Sequence, residues 1–483
     1  MVQIDPQLLF QRLTVYVLDK HEDPKSAFQY ELCSYPPALF DSSGLPRPPN
    51  KSVLADAMWN FCLENCPSSH DQSAECTIDL MQREQSKNNN IAYVLDGGAL
   101  LQRVPWECGL DFQNLCQLYV TYVTKRYQGA TIVFDGYENG PSIKDAAHQR
   151  RSGSKIGLSV NFTTKTVNNL KKDEFLANKR NKQRFINLLS ESLTEAGCKS
   201  IHASGDADVL IVQTAVKSAT TSDTVVVGDD TDLLVLLCFY SDMGAHDLYF
   251  IPEPKKSSSK RRLWDIKRTK LALGPKICSR ILFIHAILGC DTVSQPYGIG
   301  KGAALKMAIR NSYFSELAEQ FCKKDLSKES IKQIGEKALV ALYNGSRDEG
   351  LDNLRYRRYC EKVAKSSKYV QPQSLPPTSA SSQYHSLRAY YQIQDWKDNC
   401  EGLDPVIYGW KMTGELLLPI MTNLEPAPKK LLETVYCSCK AGCNTRRCTC
   451  RAHGLDCTRA CGQCKGESCT NSPKPDFNQD DEL

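Results

Sequence analysis

Apolar positions along this chain follow two rhythms, and the rhythm changes at residue 91. Before it, short amphipathic stretches (7–19 and 52–64) stand between Pro-rich loops, Tyr35-Pro36-Pro37 and Leu45-Pro46-Arg47-Pro48-Pro49. That texture predicts a mostly helical accessory region over 1–90, with no chemistry visible in it. From Ile91 onward, short β-rich runs take over: IAYVLDGG, ATIVFDG, KSIHASGDAD, TVVVGDDTDLLVLL and HDLYFIP. Between them, 112–127 and 181–196 carry apolar residues at helical spacing. Strand–helix alternation of this kind predicts an α/β fold, a parallel sheet flanked by helices on both faces. The sheet-forming part should span 91–253, followed by a basic insert and a helical part over 254–368. The stretch QPQSLPPTSASSQ (371–383) reads as a linker by composition, within a segment 369–436 that holds a short ordered piece around Tyr408-Gly409-Trp410. A cysteine module over 437–469 and an acidic tail over 470–483 complete the organisation.

A chain of 483 residues exceeds what one core serves, so two or three folded units are expected. With 41% hydrophobic and 24% charged residues, a disordered or fibrous chain is excluded. No apolar stretch approaches the roughly 18–20 residues a membrane helix needs. The start, MVQIDPQLLFQRL, lacks a basic-then-apolar leader, so the expectation is an unsecreted protein. Net charge is only +5, but 144–184 holds 11 Lys/Arg against 3 Asp/Glu, and 254–270 holds 8 against 1. Such segments suit a polyanion.

Seven aspartates stand at or near the ends of apolar runs: Asp96, Asp135, Asp206, Asp208, Asp230, Asp232 and Asp291. Two pairs are spaced i, i+2, which in extended chain puts both side chains on one face, with Asp229 pointing away. Any single aspartate after a strand can be a helix N-cap or a turn residue. Six of them in phase with four strand ends suggest one site, at the sheet edge where open α/β sheets bind ligands. So many carboxylates together require cations, and Mg²⁺ or Mn²⁺ suits an all-oxygen set. Two such ions can activate water and stabilise a leaving oxygen in phosphodiester hydrolysis.

The motifs VLDGG, IVFDG, GDAD, GDDTDLL and ILGCDTVSQPYGIGKGAA, in this order, resemble the flap-endonuclease/XPG family of structure-specific 5′ nucleases, part of the wider PIN-like group. The resemblance covers roughly 91–310. It implies a first metal on Asp96, Asp135, Asp206 and Asp208, and a second on Asp208, Asp230, Asp232 and Asp291. It also implies that Lys144 and Arg151 contact the scissile phosphate, and that the basic segment to Arg184 takes the place of a helical arch over single-stranded substrate. Gly298, Gly300, Lys301 and Gly302 match the family's helix–hairpin–helix motif, which binds duplex DNA and is associated with K⁺. Two departures stand out. This chain has Asp206 and Asp208 where the family usually has glutamates, and 95 residues precede Asp96.

Cysteine numbers 22, with nine in one short segment: Cys437, Cys439, Cys443, Cys448, Cys450, Cys457, Cys461, Cys464 and Cys469. Three tetrahedral zinc ions need twelve ligand positions, which nine thiolates fill if six are terminal and three are shared by two ions. The pattern resembles the tesmin-like CXC domain, implying a three-zinc cluster that binds DNA, with Arg446, Arg447 and Arg451 as candidate phosphate contacts. A disulfide knot or a metallothionein-like store are the other readings. Together these features predict a nuclear, metal-dependent nuclease acting on DNA flaps, junctions or single-strand/duplex boundaries, with RNA as an open substrate and no membrane partner. The competing expectation is a catalytically inactive DNA- or chromatin-binding scaffold.

Overall fold

The computed structural model describes residues 24–65, 91–107, 109–136, 140–152, 157–252, 262–365, 369–432, 436–440, 442–457, 461, 463–466 and 469–472, with 7, 9–11, 13, 14 and 17 before them, and the backbone alone at 151, 152, 430 and 431. The KKSSSKRR run of the basic insert, up to Arg261, and the tail from 473 lie outside the described residues.

At its centre is a six-stranded sheet of β1 (Ala92–Asp96), β2 (Thr131–Phe134), β3 (Lys199–His202), β4 (Thr224–Val227), β5 (Leu248–Ile251) and β6 (Trp264–Asp265). The order is β3-β2-β1-β4-β5-β6, parallel throughout except for β6, which pairs antiparallel with β5. In register, Val94 of β1 faces Thr131 on one side and Val226 on the other. Alternation along the strands divides the interior in two. Val94, Val133 and Val226 point into one core, while Leu95, Ile132, Phe134, Val225 and Val227 point into the other.

Helices cover both faces. They include α1 (Ser52–Asn65), α2 (Gly97–Arg103), α3 (Phe112–Arg126), α4 (Asp145–Ser152), α5 (Lys179–Glu195), α6 (Asp208–Ser218) and α7 (Thr231–Tyr240). After the sheet come α8 (Ile266–Leu273), α9 (Pro275–Ile287), α10 (Lys301–Arg310), α11 (Ser312–Phe321), α12 (Lys328–Leu342), α13 (Leu351–Lys365) and α14 (Ser379–Trp396). Among the described residues no helix is long and apolar enough to cross a membrane.

The serine-rich stretch expected as a linker is instead the start of α14, and Ser381, Ser382, His385, Ser386 and Arg388 are buried. Small side chains are what the packing needs here. A Cβ on Gly335 of α12 would collide with Ser386, so the two helices meet at a distance that only glycine and serine allow. Beyond α14, a hairpin of β7 (Trp410–Thr413) and β8 (Leu416–Pro419) packs Trp410 and Leu417 against Tyr391, with Ile143 beside them.

The N-terminal residues are built into this body. Glu31 and Arg355 form a buried ion pair at 3.3 Å, and Glu31 Oε1 also accepts from Thr378 N–H at 3.1 Å and from Ser381 Oγ at 2.8 Å. Leu9, Phe10, Leu13, Val17, Phe28 and Leu32 share a small core with Tyr359 and Leu375, which Leu455 of the cysteine module completes.

Candidate active site

The sheet ends by delivering carboxylates. Asp96 closes β1 and caps α2, its Oδ1 accepting Gly98 N–H at 2.8 Å and Ala99 N–H at 3.1 Å. Asp230 caps α7 in the same way, accepting Asp232 N–H at 3.0 Å. Capping and membership of the site therefore coincide in these two residues. Asp135 follows β2, and its Oδ1 accepts Ala207 N–H at 3.1 Å, tying the exit of β2 to that of β3. Gly136 permits that approach, since a Cβ there would strike the carbonyls of Ala203 and Ser204. Asp206 lies in the same exit loop, Asp208 opens α6, and Asp291 sits in the loop after α9. Asp229 turns aside, pairing with Arg103 at 2.5 Å.

Two lysines enter this acidic edge. Lys144, just before α4, reaches Asp206 at 2.5 Å and Asp208 at 3.7 Å. Lys51, just before α1, reaches Asp230, Asp232 and Asp291, each at 2.9 Å. Burial lowers the pKa of both ammonium groups, but the carboxylates outweigh it and hold both above the ordinary lysine value. Asp96 goes the other way. Burial, then the nearby charges of Asp135 and Asp230, push it up to about 7 against the backbone N–H groups it accepts from. Burial and Asp206 likewise hold Asp208 well above the usual carboxylate range.

Behind Asp232 lies a buried polar chain. Asp232 Oδ1 is 2.7 Å from His285 Nε2, and His285 Nδ1 is 3.0 Å from Lys301 Nζ. Lys301 also donates to the carbonyls of His285 at 2.8 Å and Gly289 at 2.5 Å. When Lys301 is charged, three donors meet three acceptors, and in that state His285 Nδ1 accepts from lysine while Nε2–H donates to the carboxylate. Burial pulls Lys301 down to about 7, and burial with Lys301 nearby pulls His285 to about 4. Lys301, expected on a DNA-facing hairpin, is therefore turned inward with no exposed surface, because its ammonium is needed to hold the loop that carries Gly289 and Asp291. Gly298 and Gly300 are exposed, while Gly302 packs half-buried against Ala57 of α1.

A further carboxylate arrives from α14. Burial, and after it the negative charge of Asp206, push Asp395 up to about 6. Gln392 holds it, donating to Asp395 Oδ2 at 3.1 Å while accepting from Thr292 Oγ1 at 2.5 Å. Beside the constellation opens a cavity of about 630 Å³, lined by Lys51, Asp96, Arg150, Asp230 and Asp291 among others. The side chain of Arg151 lies outside the described residues.

Lys51 and Asp395 carry no pattern in the sequence that marks them. Lys51 follows the proline-rich run Pro46-Arg47-Pro48-Pro49-Asn50, and Asp395 sits in a helix whose beginning reads as linker. The donor chemistry separates the site into halves. Among the carboxylates of one half, Asp96 and Asp208 are raised, which marks crowded negative charge in an all-oxygen surrounding that could take a hard divalent cation. The Asp230, Asp232 and Asp291 half is closed by Lys51.

No family model and no curated protein matches this chain. Solved structures do. One is the bacteriophage T5 D15 protein co-crystallised with metal ions, at TM-score 0.32 and 12% identity, covering 65% of this chain and 100% of that one. Another is the catalytic core of Rad2 in complex with a DNA substrate, at 0.32 and 12%, covering 66% and 93%. A third is the Holliday junction-resolving enzyme GEN1 with product DNA and Mg²⁺, at 0.31 and 14%, covering 66% and 68%.

The cysteine cluster is a separate centre. Its sulfurs form three groups of four, Cys437/Cys450/Cys457/Cys461, Cys437/Cys443/Cys448/Cys457 and Cys443/Cys457/Cys464/Cys469, each with all sulfurs within 4.8 Å. Neighbouring sulfurs lie 3.4 to 3.9 Å apart, as in Cys450–Cys461 and Cys437–Cys457. Tetrahedral zinc with Zn–S near 2.3 Å requires about 3.8 Å. Sulfurs grouped this closely could hold metal ions. Cys437, Cys443 and Cys457 are each shared between groups, and Cys457 belongs to all three. Cys439 packs against the cluster without joining a group. Arg446 and Arg447 are exposed, whereas Arg451 bends back to donate to Cys443 O at 3.2 Å.

Proposed function

We propose that the chain is a metal-dependent phosphodiesterase that cleaves DNA, a structure-specific nuclease whose cysteine module holds zinc and adds a DNA contact. The observation that carries this reading is the delivery of seven aspartates and two lysines to one end of a parallel sheet, on motifs that resemble those of the flap-endonuclease/XPG family in their order. A divalent ion held by Asp96, Asp135, Asp206 and Asp208 would supply Lewis-acid polarisation of a phosphoryl oxygen.

The chain's own groups do the rest. Lys144 meets charge that develops on the phosphoryl oxygens in the transition state. Asp232 is fixed by His285 and Lys301, so the acidic edge is preorganised rather than mobile. The basic stretch from 157 to 184 and exposed Arg446 and Arg447 give phosphates a place to bind outside the reacting centre.

One observation favours a second reading. Lysines reach into both halves of the acidic edge, as a non-catalytic DNA- or chromatin-binding scaffold would also permit. Incubation of the purified chain with end-labelled flap, hairpin and single-stranded DNA, and with matching RNA, separates the two. Cleavage with Mg²⁺ or Mn²⁺ that stops in EDTA and in Asp208→Asn supports the nuclease. Binding without cleavage under every condition supports the scaffold, and cleavage confined to RNA changes the substrate class.

A further inference from the structure

Residues 46–52 form one wall of the acidic cavity, and the segment 36–52 that carries them is fastened in place. Tyr297 N–H donates to Ala38 O at 2.9 Å, Gln295 N–H to Arg47 O at 3.0 Å, and Asn50 N–H to Gln295 Oε1 at 2.7 Å. Arg47 lies over the Tyr297 ring at 4.9 Å, and Arg150 of α4 pairs with Asp41 at 2.5 Å. Directly after Lys51 the chain enters α1, whose Leu54 and Met58 are fully buried in the main core. The backbone on both sides of Lys51 is therefore fixed, and its side chain is only 14% exposed.

Its ammonium sits at equal distances, 2.9 Å, from Asp230, Asp232 and Asp291. A divalent cation bridging those three carboxylates would need the same centre. One centre cannot hold both, since metal–oxygen distances of about 2.1 Å leave no room for an ammonium among the same oxygens. Lys144 differs, since it approaches Asp206 closely and Asp208 only at 3.7 Å, and does not sit centrally among its carboxylates.

We propose that Lys51 is the resident cation of the Asp230/Asp232/Asp291 group. With residues 36–52 docked, that group takes no divalent ion, and the chain supplies in cis the positive charge a second metal would bring. The inference rests on the metal-dependent reading above and sets its stoichiometry: one divalent ion at the acidic edge instead of two. Lys51 also lines the cavity, so its charge faces the space a phosphate would enter.

The test counts ions on the intact, zinc-loaded chain. Mn²⁺ is titrated and free ion is read by electron paramagnetic resonance. One bound Mn²⁺ in the wild type and in Lys51→Arg, rising to two in Lys51→Ala, is the expected result. Two ions in the wild type, with the same affinities in Lys51→Ala, overturn the proposal and leave the metal-dependent reading standing. No Mn²⁺ bound by any of the three removes both. Should Lys51→Ala fail to fold, acylation of wild-type lysines by a small amine-reactive reagent, mapped by mass spectrometry, decides the matter. Lys51 protected equally with and without saturating Mn²⁺ is expected, and a rise of tenfold or more in its labelling with Mn²⁺ overturns the proposal.

Discussion

Lys144 is half-buried and His385 fully buried beside other polar groups, and they titrate in opposite senses. Lys144 keeps its proton because Asp206 and Asp208 face it, so its charge is present throughout the working pH range. If that charge acts on the transition state, Lys144→Ala should lower kcat by about 10²–10³-fold. Affinity for a labelled flap should change by less than about tenfold, since the basic stretches that hold DNA are untouched. Single-turnover rates and binding isotherms on one substrate give both numbers. His385 is deprotonated instead. Its Nε2–H donates to Ile287 O at 2.9 Å, and burial, helped by Arg388, pulls it down to about 3. An unfolded histidine titrates near 6.5, so stability is fully present above that value and falls as pH drops from 6.5 toward 3. At pH 5 the loss from this group is about 2 kcal/mol relative to pH 7.5. Denaturant unfolding at the two pH values should show the wild type losing that much more than His385→Gln. The aspartates were legible in the sequence because strand ends announce themselves. Lys51 was not, because a lysine after Pro48-Pro49-Asn50 looks like any solvated loop residue until the fold folds it back.

At the level of helices and strands, β-branched runs interrupted by Gly and Asp made the parallel strands β1 to β4 readable, and β5 with them. Two-residue β6 is too short to leave a periodic trace. Failure came with α14, where Pro376, Pro377 and a cluster of serines give the composition of a tether. Proline at the entrance and serine along the first turns are also what a close helix contact uses, and composition does not tell these apart. Thr378 caps the helix by accepting Ser381 N–H, which explains why it begins directly after the prolines. The contact itself can be tested. Gly335→Ala should destabilise the chain by about 1–3 kcal/mol through overpacking, although alanine is the better helix former. Ser386→Gly in the same chain should recover part of that loss, because it removes the colliding atoms. Equal stability of the single and double variants would show that α12 and α14 can slide apart. α14 also carries Asp395 toward Asp206, so the same substitution should weaken Mn²⁺ binding if the helix shifts.

Across the whole molecule, the cysteine module is joined to the body by packing. Leu455 is buried with Leu9, Phe10, Phe28 and Leu32, and Leu32 N–H donates to Pro426 O at 2.8 Å. No sequence pattern reports such docking, because a lone leucine among cysteines reads as the module's own small core. If zinc holds the module together, its removal should be felt at a distance. Elemental analysis of the intact chain should give about three zinc ions, and a strong thiol-compatible chelator should raise hydrogen exchange across residues 24–33 as well as in the module. Exchange confined to the module would show that the N-terminal core stands without Leu455. The docked module also bears on how the protein is made. Leu455 lies far downstream of Leu9, Phe10 and Phe28, so this contact forms only after the intervening chain has been synthesised. Until Leu455 is docked, Leu9, Phe10 and Phe28 have Tyr359 and Leu375 against them but lack the last part of their cover. If the module holds zinc, a cell short of zinc would hold a pool of chains in which Leu9, Phe10 and Phe28 are only partly covered, the kind of surface that chaperones and degradation machinery recognise.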